Sequence, residues 1–344
     1  MKIGVTGIQH WEKALGFSPD LSAFFEHLTV NDATEQTVLN QYSVIFRQCD
    51  IAAEHPFYPK ASDLKVMRDD TIASVICAQL LLQSAQIQDD EKSEMSLLFA
   101  NSNFIDNGIL DFDTIALAIG EIQKASSAIE KNKSFAAEVS PLVPLRTLTN
   151  STQSFVSQYT QIKGDSTTYG STCLSAAHAL DDAITLIQLN LSKTALLGGS
   201  HFANVFSFLN QYLHVPTIDQ YAESTSAAIF IVESESQVIA SNRSVCLWID
   251  QLLFNEWPES TTQYNRVYCG GALTGSQAND LKIKCHHQTG TDALSLFPYF
   301  GSLGCAELGF LLSTASHQLD SKESGLIYLE DVFGSFCCLT VKKP

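Results

Sequence analysis

One stretch of the chain constrains its fold more than any other: residues 162–199, IKGDSTTYGSTCLSAAHALDDAITLIQLNLSKTALLGG. A polar, glycine-punctuated lead-in is followed by a predicted helix from Ser175 to Asn190, with Ala176, Leu180, Ala183, Ile184 and Ile187 on one face. A short apolar strand, Thr194 to Leu197, then stops at Gly198 and Gly199. A helix with one apolar stripe needs a sheet to bury it, and strand-like and helix-like periods alternate on both sides of this unit. Strands are predicted at Lys2–Ile8, Ser96–Ala100, Ala227–Val232, Val245–Ile249, Arg266–Cys269, Leu281–Cys285 and Gly325–Leu329. Helices are predicted at 64–82, 111–133 and Cys305–His317. This order reads as α/β with sheets covered on both faces. No repeat of fixed period, low-complexity tract or Gly/Ser linker interrupts it.

Composition removes several classes of function. Of 344 residues, 45% are hydrophobic, which supports a sizeable core, and the formal net charge is −17. A chain this acidic is repelled by nucleic acid and by anionic membrane surfaces. No stretch approaches the ~18 apolar residues of a membrane span. The opening residues turn polar too early for a signal-peptide core. The nine cysteines are odd in number and form no CxxC pair, so thiols in a reducing compartment are expected. Together these readings predict a cytoplasmic protein.

Cys173 lies just ahead of the predicted helix, where unpaired N–H groups and the positive end of the dipole favour thiolate and make a nucleophile. The plain alternative is a small buried hydrophobe. His178 falls within the helix, and His201 follows the glycine pair, where each also fits a structural role. Cys269, Cys285, His286 and His287 match no common zinc spacing, so no metal is expected. Without a GxGxxG or P-loop run, no nucleotide cofactor is expected either.

The same residues resemble the β-ketoacyl synthases of the thiolase superfamily. Their nucleophilic Cys precedes a helix, a short strand and a Gly-Gly pair at the 25-residue spacing that separates Cys173 from Gly198. The lead-in PLRTLTN…KGDSTTYGSTC is similar to that family's, as are KVMRDDTIASVICAQLLLQSAQI (65–87) and AESTSAAIFIVESESQVIASNR (222–243). The resemblance covers roughly residues 60–245. It implies a thiolase-like fold of two α/β/α halves in five layers, divided as 1–242 with Cys173 and a shortened 243–344. It also implies an acyl-accepting Cys173, an acyl-phosphopantetheine arm of an acyl carrier protein as substrate, and pairing of subunits along the helix after Cys173 and the strand Thr194–Leu197.

Departures from the family shape the functional expectation. Its decarboxylating members stabilise an enolate oxygen with two His. By alignment, Gly270 in VYCGG (267–271) stands at the first position and Ser302 at the second, 32 residues apart. A rival alignment places His287 of HQTGT (287–291) at the first position, which would give a Cys173–His287 pair able to accept an acyl group. Three functions remain open on this reading. One is a non-condensing subunit, such as a chain length factor, pairing as a heterodimer with an active ketosynthase in type II polyketide, fatty-acid-like or aryl-polyene biosynthesis. The second is an acyltransferase or condensing enzyme using Cys173 with His287 or another His. The third is a scaffold that docks acyl carrier protein.

Overall fold

The computed structural model describes residues 1–12, 16–18, 36–39, 42–47, 51, 53–101, 127, 148–203, 221–259 and 262–344. The helix expected at 111–133 lies outside these residues. The strands are β1 (Ile3–Glu12), β2 (Gly16–Ser18), β3 (Gln36–Leu39), β4 (Tyr42–Arg47), β5 (Ser96–Asn101), β6 (Ser166–Gly170), β7 (Thr194–His201), β8 (Tyr221–Ser224), β9 (Ser226–Ser234), β10 (Leu247–Phe254), β11 (Arg266–Gly270), β12 (Ala293–Ser295), β13 (Ser324–Glu330) and β14 (Phe336–Lys342). The helices that matter here are α1 (Asp69–Ser84), α2 (Ser151–Thr160), α3 (Ser175–Gln188), α4 (Gly275–Thr289) and α5 (Glu307–Gln318).

A repeat hidden in the sequence is plain in the topology. Strands β1, β5, β6, β7 and β9 lie in the order β6-β5-β7-β9-β1, and β10 to β14 in the order β12-β11-β13-β14-β10. Numbered within each set, both orders are 3-2-4-5-1. Orientations repeat as well. The second, third and fourth strands of each set run parallel, and the fifth is antiparallel to the fourth and to the first. Antiparallel pairing of Ile3–Val5 with Leu247–Ile249 joins the sets into one mixed sheet. Helices α3 and α5 therefore occupy equivalent places, each between the third and fourth strands of its set.

Side-chain alternation sorts these elements into five layers. Leu97, Phe99, Ile229 and Ile231 point to the outer cluster with α1 and Val156 of α2. Their neighbours Leu98, Ala100, Ala228 and Phe230 point inward, to a central cluster shared by α3, α5 and one face of the second set. The other face of that set, with Val267, Cys269, Leu326 and Tyr328, packs on Ala278, Leu281 and Cys285 of α4. The central strands β5, β7, β9 and β13 are buried on both faces, which explains why they read as apolar runs rather than alternating ones. Among the described residues, no helix is long and apolar enough to cross a membrane. The eight described cysteines carry free thiols.

Two sequence expectations need correction. Leu281–Cys285 is helical, not a strand: Thr274 Oγ1 caps α4 by accepting from Gln277 N, and Gly290, at φ +71°, ends it. The alternating letters LKIKC misled, because Ala278, Leu281 and Cys285 share one buried helical face while Ile283 is 61% exposed. Strand β7 also continues through Gly198 and Gly199. A Cβ at 198 would lie 2.3 Å from the Phe99 ring, and one at 199 would lie 1.9 Å from the Cys305 carbonyl oxygen. The glycines admit close packing rather than ending the strand. Because β7 sits buried between β5 and β9, Thr194–Leu197 is not available as a pairing edge.

Candidate active site

Cys173 stands in the turn between β6 and α3, half-buried against the central cluster. The turn is fixed from the second set. Thr172 Oγ1 donates to Asp331 Oδ2 at 3.2 Å, and Cys305 Sγ donates to the Thr172 carbonyl at 3.1 Å. Cys173 Sγ lies 3.7 Å from the Glu330 carbonyl oxygen. Gly271 closes the other side at φ +95°, a backbone region that favours glycine. A Cβ there would meet Glu330 O at 1.9 Å and Cys173 Sγ at 3.2 Å.

Electrostatics reverse one expectation. Burial raises the Cys173 pKa well above the ordinary thiol value, and the nearby Glu307, Cys305, Asp331 and Cys337 push it further. The helix terminus does not overcome this, so the resting group is a thiol.

The residue that sequence reasoning missed is Glu307, at the start of α5 and 1% exposed. Its Oε2 accepts the Gly271 N–H at 3.0 Å. Its Oε1 would lie 2.5 Å from a Cβ placed on Gly270. The carboxyl thus fills the volume that a side chain at 270 would enter. Burial raises its pKa to about 8, against the opposing pull of the Gly271 N–H and of His201. A signal was present in the sequence: Glu307 is the one charged residue in GCAELGFLLSTAS, an otherwise apolar and small helix.

The remaining candidates divide by layer. Ser302 is buried and tied to β8. Its N–H donates to the Ala222 carbonyl at 2.8 Å, its carbonyl accepts from Ser224 N at 3.0 Å, and its hydroxyl accepts from Gly304 N at 3.4 Å. His201, at the end of β7, places Nε2 3.6 Å from Glu223 Oε1, which also accepts from the Tyr221 hydroxyl at 2.6 Å. Cys173, Gly270 and Glu307 are therefore brought together at the starts of α3 and α5, with the buried His201 close enough to Glu307 to act on its charge. His287 is not. It is exposed in the last turn of α4, a helix packed on the opposite face of the second strand set from Cys173. This placement removes the physical basis for a Cys173–His287 pair. His286 pairs with Asp292 at 3.0 Å, and the exposed His178 stacks on Phe254 at 4.4 Å. Among the described residues, no group of three or more His, Cys, Asp or Glu is arranged around a metal position.

Comparison with known proteins agrees with this layout. Residues 57–207 match the family model "Beta-ketoacyl synthase, N-terminal domain". The ishigamide ketosynthase/chain length factor superposes with a TM-score of 0.74 at 13% identity, over 100% of this chain and 99% of that one. A type II polyketide synthase acyl-carrier protein in complex with its ketosynthase bound to the hexaketide gives 0.71, 13%, 100% and 99%. A β-ketoacyl synthase from Burkholderia phymatum STM815 gives 0.68, 14%, 100% and 100%. No curated protein matches the chain. With Cys173 in the matched segment and the five-layer architecture around it, the chain has the thiolase-like fold of these ketosynthases, and its residues 57–207 are similar to the β-ketoacyl synthase N-terminal domain.

Proposed function

We propose that the chain is a non-condensing ketosynthase-like subunit, of the chain-length-factor kind, that pairs with a catalytically complete ketosynthase. The observation that carries this reading is the Glu307 carboxyl lodged against Gly270, where a condensing enzyme would hold an imidazole. Losing one oxyanion donor costs roughly a hundred- to a thousand-fold in rate. Here Gly270 and Ser302 replace both. In this reading Cys173 accepts an acyl chain from the phosphopantetheine arm of an acyl carrier protein. The setting is type II polyketide or fatty-acid-like assembly, including the aryl-polyene kind. The chain divides functionally as 1–242 and 243–344. Strand β6 pairs on one side only among the described strands, and with the adjoining face of α3 it is the surface assigned to the partner.

Light scattering on the chain expressed with and without a Cys-His-His ketosynthase tests the pairing. A one-to-one complex is expected. A stable homodimer that ignores the ketosynthase, yet condenses malonyl and acyl groups, would favour the independent-enzyme reading. That second reading draws its support from His201, which lies close enough to Glu307 to act on its charge. The scaffold reading is distinguished by carrier-protein binding with no acylation of Cys173.

A further inference from the structure

Glu307 is a carboxyl buried in the centre of the molecule, packed against the backbone that touches the nucleophile. Gly271 links the two: its N–H bonds to Glu307 Oε2, and its α-carbon faces Cys173 Sγ. An amide donor bonds to the carbonyl-type oxygen of a neutral carboxyl, which leaves the hydroxyl on Oε1. Oε1 lies on the Gly270 side, where no side chain covers it from that strand. We propose that Glu307 donates a hydrogen bond from its carboxylic acid to the carbonyl oxygen of the acyl thioester that reaches Cys173. It would then be a catalytic residue for thioester exchange at Cys173, a step separate from the enolate stabilisation that the missing imidazoles would serve. The proposal rests on the acyl-accepting role of Cys173 given above.

The step balances without a further reagent. Cys173 Sγ forms a bond to the carbonyl carbon, and negative charge collects on the oxygen that faces Glu307. The carbon–sulfur bond to the pantetheine thiol breaks, and the proton lost by Cys173 ends on that thiol. A neutral acid suits this step on two counts. It donates where charge develops, and it removes the carboxylate that otherwise opposes thiolate formation at Cys173. Buried carboxylic acids kept neutral for hydrogen-bond donation have precedent in enzyme chemistry. The titratable groups around the pair are His201 of β7, Cys305 ahead of α5, Glu330 and Asp331 at the end of β13, and Cys337 of β14, with Tyr221 and Glu223 of β8 beyond His201. Among them Glu307 loses its proton near pH 8, below the thiols, whose values burial holds higher.

The test is acyl loading of the full chain from hexanoyl-pantetheine, read by peptide mass spectrometry at Cys173 between pH 6.5 and 9.5. The wild-type rate is expected to stop rising and level off past about pH 8, where thiolate gained is offset by acid lost, whereas ordinary thiol acylation goes on rising with thiolate. Glu307→Gln keeps a donor that does not titrate, so loading at pH 7 should stay within about tenfold and the levelling above pH 8 should give way to a continued rise. Glu307→Ala should lose about a hundred-fold at pH 7. If that variant does not fold, the pH profile of Glu307→Gln decides alone. A wild-type rate that rises throughout with pH, a Glu307→Ala rate within threefold of wild type, or no adduct at pH 7 would overturn the proposal. Loading failure with the ketosynthase complex intact overturns this inference and leaves the pairing standing. Normal loading with no complex does the reverse.

Discussion

The starts of α3 and α5 occupy the same place in two strand sets of identical order, yet they are built for different work. Helix α3 keeps one face in water, with His178, Asp181, Asp182 and Gln188 exposed, and begins beside the half-buried Cys173. Helix α5 is buried from Glu307 through Ser316. Its first turn carries a carboxyl with almost no access to solvent. One repeat thus presents a thiol near the surface, and the other presents an acid from inside the core. The difference shows that equivalent backbone geometry leaves chemistry to local burial: the same helix terminus holds a thiol in one half and a carboxyl of raised pKa in the other.

The largest effect that can break this comparison is in stability against pH. A carboxyl whose pKa is raised from 4.5 to about 8 on folding holds a proton that the unfolded chain has released. Its contribution is fully present below pH 4.5, is lost as pH rises to about 8, and changes no further above that. One pKa unit is about 1.4 kcal/mol, so the loss across the window is on the order of 4–5 kcal/mol. Urea unfolding of wild type and Glu307→Gln at pH 5, 6.5 and 8 reads it as the difference between two slopes. Parallel slopes would mean that Glu307 is ionised like any surface carboxyl.

Next in size is the contact between the halves. Gly199→Ala drives a Cβ to 1.9 Å from the Cys305 carbonyl oxygen, backbone against backbone, so about 3 kcal/mol or more should be lost. Gly290→Ala meets nothing within 4 Å and bears only its left-handed φ of +71°, for about 1–2 kcal/mol. Equal losses in urea would deny that β7 and the start of α5 are packed this closely. A smaller coupling is expected between Gly270 and Glu307. Gly270→Ala alone should cost about 1–3 kcal/mol, and Glu307→Ala in the same chain should recover about 1 kcal/mol of it in a double-mutant cycle. Smallest of all is His287→Ala. An exposed residue at the end of α4 should leave stability within about 0.5 kcal/mol and Cys173 loading unchanged.

Much of this architecture was legible in the sequence because buried strands such as AAIFIV and SLLFA are continuous apolar runs that few other elements imitate. The loop–helix–strand unit around Cys173 was legible for the same reason, since its spacing fixes where the helix starts. LKIKC was not, because a period of two over five residues is too short to outweigh a Thr cap and a glycine stop that set a helix across it. The glycine pair was read as a strand end, although only the tertiary neighbours Phe99 and Cys305 explain it. Glu307 stayed hidden for a related reason. Its partner Gly271 is 36 residues away, and a carboxyl in the first turn of a helix is ordinarily a solvated dipole partner.

What fills the space over Gly270 decides whether the chain can stabilise an enolate, and malonyl-carrier-protein decarboxylation by the purified chain tests that most directly. On the proposed reading, with Gly270 and Ser302 at the two imidazole positions, turnover should be at least about a thousand-fold below that of a Cys-His-His ketosynthase assayed alongside. Turnover equal to that enzyme, by the chain alone, would contradict the account and show that another residue, with His201 nearest to hand, stabilises the enolate.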